Sequence, residues 1–188
     1  FFKLATNKYF FNLITFRLFK FSDINNIKFI QKFTKNDPNP VLRRDLPNFY
    51  KLKFNEYQFP SFISKLSEIF EERRIREKNY IYYLSNIINK NIKIFNPSDK
   101  EIHSFINFPI LVSSKKRFSN YLYKNNIDHS LYFYRNCNDL EIFKEFKIDC
   151  QNTDLFEKKI LFLPIHHKIT QTYQDKVIDI INKYDEKN

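Results

Sequence analysis

Apolar residues recur along most of this chain at spacings that alternate between those of helices and those of strands. Phe62, Leu66, Ile69 and Phe70 share one face of a helix that opens at Pro60-Ser61, with Ser61 as its N-cap. Tyr80, Leu84, Ile87 and Ile88 resume that face, and the helix ends near Asn91. Between them, residues 71–79 (EERRIREKN) read as a solvated stretch with Glu–Arg pairs at helical spacing. A strand is expected at 106–112, near a sheet edge because it contains Pro109. A helix follows to Asn125, capped by Ser113 or Ser114, with Phe118, Tyr121 and Leu122 inward. Asn126 stands where a left-handed cap residue is needed. The alternation in 128–134 predicts a second strand, 138–146 and 152–158 short helices, and 160–164 a short buried strand. Thr170 caps a last helix to Tyr184, with Tyr173, Val177, Ile180, Ile181 and Tyr184 as its stripe. Helices interleaved with short strands give an α/β module: a small sheet carrying 106–112, 128–134 and 160–163, with the helices near 114–125 and 170–184 on it.

The first sixty residues follow another pattern. Residues 7–21 predict a basic, aromatic helix that is apolar around most of its circumference, and a second short helix fits 24–35. Residues 35–60, with four prolines, read as an extended connector. The expected division is an arm and connector over 1–59 and a small α/β domain with a long leading helix over 60–188. The arm's apolar runs are too short to span a bilayer, and it has no small-residue cleavage site. Residues 1–36 carry seven basic groups against one acid, Asp23. Such an arm suits a protein partner for its Phe side chains, a missing domain or second subunit, with a weak attraction of its Lys to anionic membrane.

Composition narrows the chemistry. The chain has 188 residues and a formal charge of +11, with no Gly, Met or Trp. Without Met the chain reads as a fragment or a processed product. Without Gly it holds no P-loop, no glycine-rich dinucleotide turn and no nucleophile elbow, each of which needs a backbone without Cβ. Lys, Asn, Ile, Phe and Tyr make up 105 of the 188 residues, all with A/T-rich codons, so the basic charge is weak evidence for a nucleic-acid partner. Cys137 and Cys150 form no CxxC pair and suit a reduced, cytoplasmic chain.

Candidate chemistry is sparse. His103, His129, His166 and His167 fall in no HxxxH or HExxH spacing, so they read as surface or loop histidines and no metal site is expected. Neither a Ser-His-Asp nor a Cys-His arrangement is identifiable. The run LYFYRN (131–136) reads as a strand with a wet tyrosine face, although its aromatics beside Arg135 could stack bases.

Several segments together resemble the C-terminal domain of the DegT/StrS family. They are Phe108–Val112, Asn126-Ile127 in place of a family Gly-Ile, Cys150, Ile160–His166 (ILFLPIH), Thr170, Val177–Ile181, and the arginine-rich helix ERRIREKNYIYYL. The resemblance covers about residues 45–188, most specifically 106–184. It implies the fold of the small domain of fold-type I aminotransferases, enzymes that use pyridoxal phosphate on keto-sugars attached to nucleotides. It also implies an amino donor, a homodimer and a cofactor that performs the carbanion chemistry. The family's Schiff-base lysine precedes a glycine-rich turn that this glycine-free chain lacks. No catalytic residue is therefore assigned, and the chain alone is expected to hold no cofactor and to be inactive. The family's Asn-x-Arg connector falls on FNEYQFP (54–60), which makes Tyr57 and Gln58 the cofactor-side candidates. The family's His-Tyr pair falls on Tyr132-Phe133 with RNCND after it, which makes Tyr132 and Arg135 the substrate-side candidates. Two other readings stay open: a basic aromatic nucleic-acid-binding module, and a non-catalytic interaction domain.

Overall fold

The computed structural model describes residues 10–25, 27, 29–30, 45, 48–53, 56–97, 103–131 and 136–185. They form a π-helical turn (Phe11–Thr15), α1 (Phe16–Ile24), α2 (Phe59–Asn86), β1 (Lys93–Ile94), β2 (Asn107–Leu111), α3 (Lys115–Lys124), α4 (Gln151–Lys159), β3 (Ile160–Pro164) and α5 (Gln171–Asn182). Short 3-10 turns occupy Asn48–Lys51, Glu56–Gln58, Cys137–Asp139 and Glu141–Phe146. The chain divides into two compact units, one of residues 1–40 with 114–161, the other of 41–113 with 162–188. Each draws on both sides of residue 60.

In the first unit α1 lies on α3. Tyr123 Oη donates to Asp23 at 2.8 Å, Lys20 Nζ donates to Asn126 Oδ1 at 3.1 Å, and the Phe16 and Tyr123 rings meet at 6.3 Å. Phe118, Leu122 and Ile127 are fully buried there. Ser114 caps α3, accepting from Arg117 N, and Asn126 takes φ 56° after the helix. Both follow local chemistry: a short hydroxyl satisfies an orphan N–H, and Asn tolerates the left-handed region. The strand expected at 128–134 is not formed in the described part, where Ser130 makes only an isolated bridge; residues 132–134 lie outside the described residues. Burial still alternates over 127–130, with Ile127 and His129 inside, but among the described residues no ladder partner extends the pattern into a strand.

The second unit carries β1, β2 and residues 162–164 of β3, and the three strands form one sheet in that order. β1 pairs antiparallel with β2, Lys93 opposite Leu111 and Ile94 opposite Ile110. β1 was not singled out in the sequence, because the alternation Ile92-Lys93-Ile94 is too short to mark a strand by pattern alone. α5 is held against α2 by Asn182 Nδ2 to Asn86 O (2.9 Å), Tyr82 Oη to Asp175 (2.6 Å) and Gln174 Nε2 to Asn79 O (3.1 Å). Thr170 caps α5 through Tyr173 N, as its position predicts. The core here holds Tyr83, Phe108, Ile110, Leu163, Ile165, Val177 and Ile181. Ile178, absent from the expected stripe, is buried as well.

α2 departs from expectation at both ends. It starts one residue before Pro60, which sits in the first turn where its missing N–H is not needed, so Ser61 is inside the helix and is not the cap. It stops at Asn86, and Asn89 turns back to donate to the carbonyls of Ile181 (2.7 Å) and Tyr184 (2.8 Å). Phe62, Leu66 and Ile69 are exposed, and Phe70 is 82% exposed, whereas Tyr80, Tyr83 and Ile87 are buried.

Candidate functional site: a cleft beside the arginine-rich helix

The charged middle of α2 builds a polar wall. Glu72 lies 3.7 Å from Arg76 and 3.5 Å from His167 Nδ1, and Arg73 lies 3.6 Å from Glu77. The helical Glu–Arg spacing is thus used, but not as a freely solvated face: Glu72 and Arg76 are about three-quarters buried, and the Arg76 Nε hydrogen has no acceptor among the described residues. One turn on, Asn79 is buried and donates to the carbonyls of Ile165 (3.2 Å) and His166 (3.4 Å). This fixes the LPIH segment against the helix. His166 is exposed and His167 turns toward Glu72, within a turn closed by Ile169 N donating to His166 O at 3.0 Å rather than in the extended segment expected. Partial loss of water around the ring, then the charges of His167 and Lys168, push the His166 imidazole below its usual value.

Arg73 reaches the other way. Its Nε donates to His103 O at 2.8 Å, and its guanidinium lies 5.7 Å from the centre of the Phe105 ring. Phe105 takes φ 48°, which costs a bulky residue about 1–2 kcal/mol. The strain is held by Tyr80 (ring centres 5.2 Å apart), by His103 (5.6 Å) and by Arg73. Tyr80 in turn donates to Phe95 O at 2.6 Å. The result is a cleft of about 310 Å³ whose lining includes Tyr80, His103, Ser104, Phe105, Asn107 and Phe162. That volume is at the small end for ligand sites. Its chemistry is aromatic surface with a few neutral hydrogen-bonding groups, suited to one flat or ring-shaped moiety.

Pyridoxal phosphate needs an amine to bind its aldehyde, a carboxylate for its ring nitrogen and donors for its phosphate. The cleft lining contains no lysine, arginine or carboxylate. Lys115, whose ammonium burial pulls down, belongs to the first unit and donates to Glu157 O at 3.1 Å. The lining of this cleft therefore does not fit the cofactor. Tyr57 is 94% exposed and Gln58 is exposed at the start of α2, while Tyr132 and Arg135 lie outside the described residues. Among the described residues no group of His, Cys, Asp and Glu could hold a metal ion. Cys137 and Cys150 are free thiols.

The first unit contains a serine–histidine pair. Ser119 Oγ lies 2.7 Å from His129 Nε2, and His129 Nδ1 lies 3.1 Å from Ile127 O. The carbonyl can only accept, so Nδ1 carries the hydrogen and the hydroxyl donates to Nε2. This is nucleophile–base geometry, but Ser119 and His129 are 3% and 8% exposed, so no substrate reaches them. His129, expected at the surface, is a core histidine, and burial depresses it to about 4. Sequence reasoning missed the pair and the Arg73–Phe105 contact because both join residues ten or more apart through loops. The one local signal was a buried-side Ser on α3.

Comparison with known proteins agrees with this layout. A search of curated proteins finds no match. Among solved structures, the sugar aminotransferase CalS13 from Micromonospora echinospora is 17% identical with a TM-score of 0.59, over 64% of this chain and 32% of that one. AtS13 from Actinomadura melliaura is 15% identical with a TM-score of 0.60, over 65% and 33%. A DegT DnrJ EryC1 StrS aminotransferase from Brucella abortus is 17% identical with a TM-score of 0.57, over 63% and 32%. This chain thus spans about a third of the length of the solved structures it resembles. The model of the DegT/DnrJ/EryC1/StrS aminotransferase family matches residues 49–182, which include the arginine-rich helix, β2 and the LPIH segment. The chain belongs to the DegT/DnrJ/EryC1/StrS aminotransferase family.

Proposed function

We propose that this chain is the C-terminal portion of a pyridoxal-phosphate-dependent aminotransferase acting on a nucleotide-linked keto-sugar in the cytoplasm. The observation that carries the reading is the family match over 49–182, laid on the helix, strand and LPIH segment that the second unit ties together. The cofactor supplies the carbanion chemistry when bound, and its lysine, carboxylate and phosphate donors come from a larger domain. This chain's part is placement. The Asn79 amide holds the LPIH backbone, and Arg73 holds the strained Phe105 at the cleft mouth. Tyr57 and Gln58, exposed ahead of α2, are proposed to approach the cofactor of a second subunit, with Tyr132 and Arg135 proposed on the substrate side.

The test is the reading frame upstream of Phe1. It should encode an aspartate-bearing strand and a lysine followed by glycines, and the extended product should transfer an amino group to a nucleotide-linked keto-sugar. A stop codon immediately upstream, or an extended product without transaminase activity, contradicts the reading.

A further inference from the structure

The loop that joins the two cysteines folds back onto α4. Asn136 meets that helix twice: its backbone N donates to Glu157 Oε2 at 3.0 Å, and its side-chain amide donates to Asp154 Oδ1. Asn138 donates from Nδ2 to Ile148 O at 2.8 Å, just ahead of the helix. Cys150, Asp154 and Glu157 are spaced i, i+4, i+7 and share one face of α4, with Asp154 N donating to Cys150 O at 3.1 Å. The segment 136–138 is therefore tied to that face in order, first to Glu157 and Asp154, then to Ile148. Cys137 lies between its two anchored neighbours, as Cys150 lies between the residues that anchor them. Asn138 N donates to Asn136 Oδ1 at 3.0 Å and the stretch Cys137–Asp139 is a 3-10 turn, so this register is held locally as well. Asn136 is 3% exposed, whereas Cys137 is exposed and Cys150 half-buried, both as free thiols.

We infer that Cys137 and Cys150 form a site of reversible oxidation, closed as an intramolecular disulfide by exchange with an oxidised small-molecule disulfide such as glutathione disulfide. Two observations carry this: the hydrogen-bonded register that sets the cysteines against each other, and the exposure of Cys137 to a reagent in solution. The Cys137 thiolate attacks one sulfur of glutathione disulfide, whose S–S bond breaks, and one glutathione leaves as thiolate. The Cys150 thiolate then attacks the Cys137 sulfur of the mixed disulfide, and the second glutathione leaves. Two cysteines are oxidised to one disulfide, one glutathione disulfide is reduced to two thiols, and the cysteines' two protons end on those thiols. The bond staples the loop to the start of α4, which Glu157 O also ties to α3 by accepting from Lys115 Nζ at 3.1 Å. The site lies in the first unit and uses no group of the cleft, so it and the aminotransferase reading can fail separately.

The experiment equilibrates the whole chain in buffers of graded glutathione to glutathione disulfide ratio, quenches it with acid, and maps it with trypsin without reduction. Lys144 and Lys147 lie between the cysteines, so trypsin parts them and only a disulfide keeps their two peptides together. Oxidation should give that linked pair in a monomeric chain. Cys137→Ser and Cys150→Ser should each stop at one glutathione adduct. The linked form should persist in the native chain at a ratio at least about tenfold more reducing than in the chain unfolded in urea, because the fold holds the thiols together. Asn138→Ala, which removes the tie to Ile148, should shift the native midpoint toward the unfolded one by about threefold. Glutathione adducts on both cysteines without a link, disulfides between two chains, or a native midpoint equal to that in urea would overturn the inference.

Discussion

Asp128 and His129 are neighbours that burial pushes in opposite directions. Losing water disfavours each charged form, so the carboxyl rises from 3.8 to about 6 and the imidazole falls from 6.5 to about 4. Between pH 4 and 6.5 the unfolded chain protonates His129 and the folded one does not, so this group's contribution to stability rises with pH. Between pH 3.8 and 6 the folded chain keeps the Asp128 proton that the unfolded chain has released, so that contribution falls with pH. The two slopes offset. Asp128→Asn should unmask the histidine, giving a stability profile that climbs more steeply than the wild type's from pH 4 to 6, by up to about 3 kcal/mol. Parallel profiles in urea titrations would show that Asp128 carries no such opposing slope. Ser119→Ala should cost about 1–3 kcal/mol, because it strands the buried Nε2 acceptor without its donor.

At the scale of elements, the caps at Ser114, Asn126 and Thr170 are local features and were legible, whereas Ser61, expected as a cap, lies inside α2. Ser114→Ala and Thr170→Ala should each cost about 1 kcal/mol in thermal or denaturant melts, since each removes the acceptor for an orphan N–H. Asn126→Ala should cost about 1–2 kcal/mol for φ 56°, while Asn126→Gly should stay within a few tenths. Equal effects of Ala and Gly at 126 would contradict the left-handed assignment. These positions could be read because cap chemistry depends on a residue and its neighbours within one turn. Over 127–130 the alternation that suggested a strand is kept, with His129 buried between half-buried neighbours, but a pattern within one segment does not supply the partner strand that a ladder needs. β1 carried only the short alternation Ile92-Lys93-Ile94, and its pairing with β2 is decided by tertiary contact. The candidate site was half legible: the arginine run and LPIH stood out in the sequence, but Phe105 at positive φ, beneath Arg73, left no local mark.

At the scale of the molecule, the first half of α2 sets pattern against burial. Phe62, Leu66, Ile69 and Phe70 keep the spacing of a core face yet are exposed. On the proposed function this face meets the larger domain, in keeping with a chain that spans about a third of its solved relatives. In this chain by itself Phe70→Ser should therefore change stability by less than about 0.5 kcal/mol, against about 3–5 kcal/mol for Phe108→Ala in the core. A loss for Phe70→Ser comparable with that of Phe108→Ala would place it in a core of this chain.

The central claim is that this family member supplies placement and leaves the cofactor to a larger domain. Titration of the purified chain with pyridoxal phosphate, followed by gel filtration and a visible absorbance spectrum, tests it most directly. The account predicts that the chain elutes without stoichiometric cofactor, because the lining of the cleft holds no lysine to bind its aldehyde and no carboxylate for its ring nitrogen. One retained equivalent of cofactor, with a band abolished by a single Lys→Ala substitution, would contradict it.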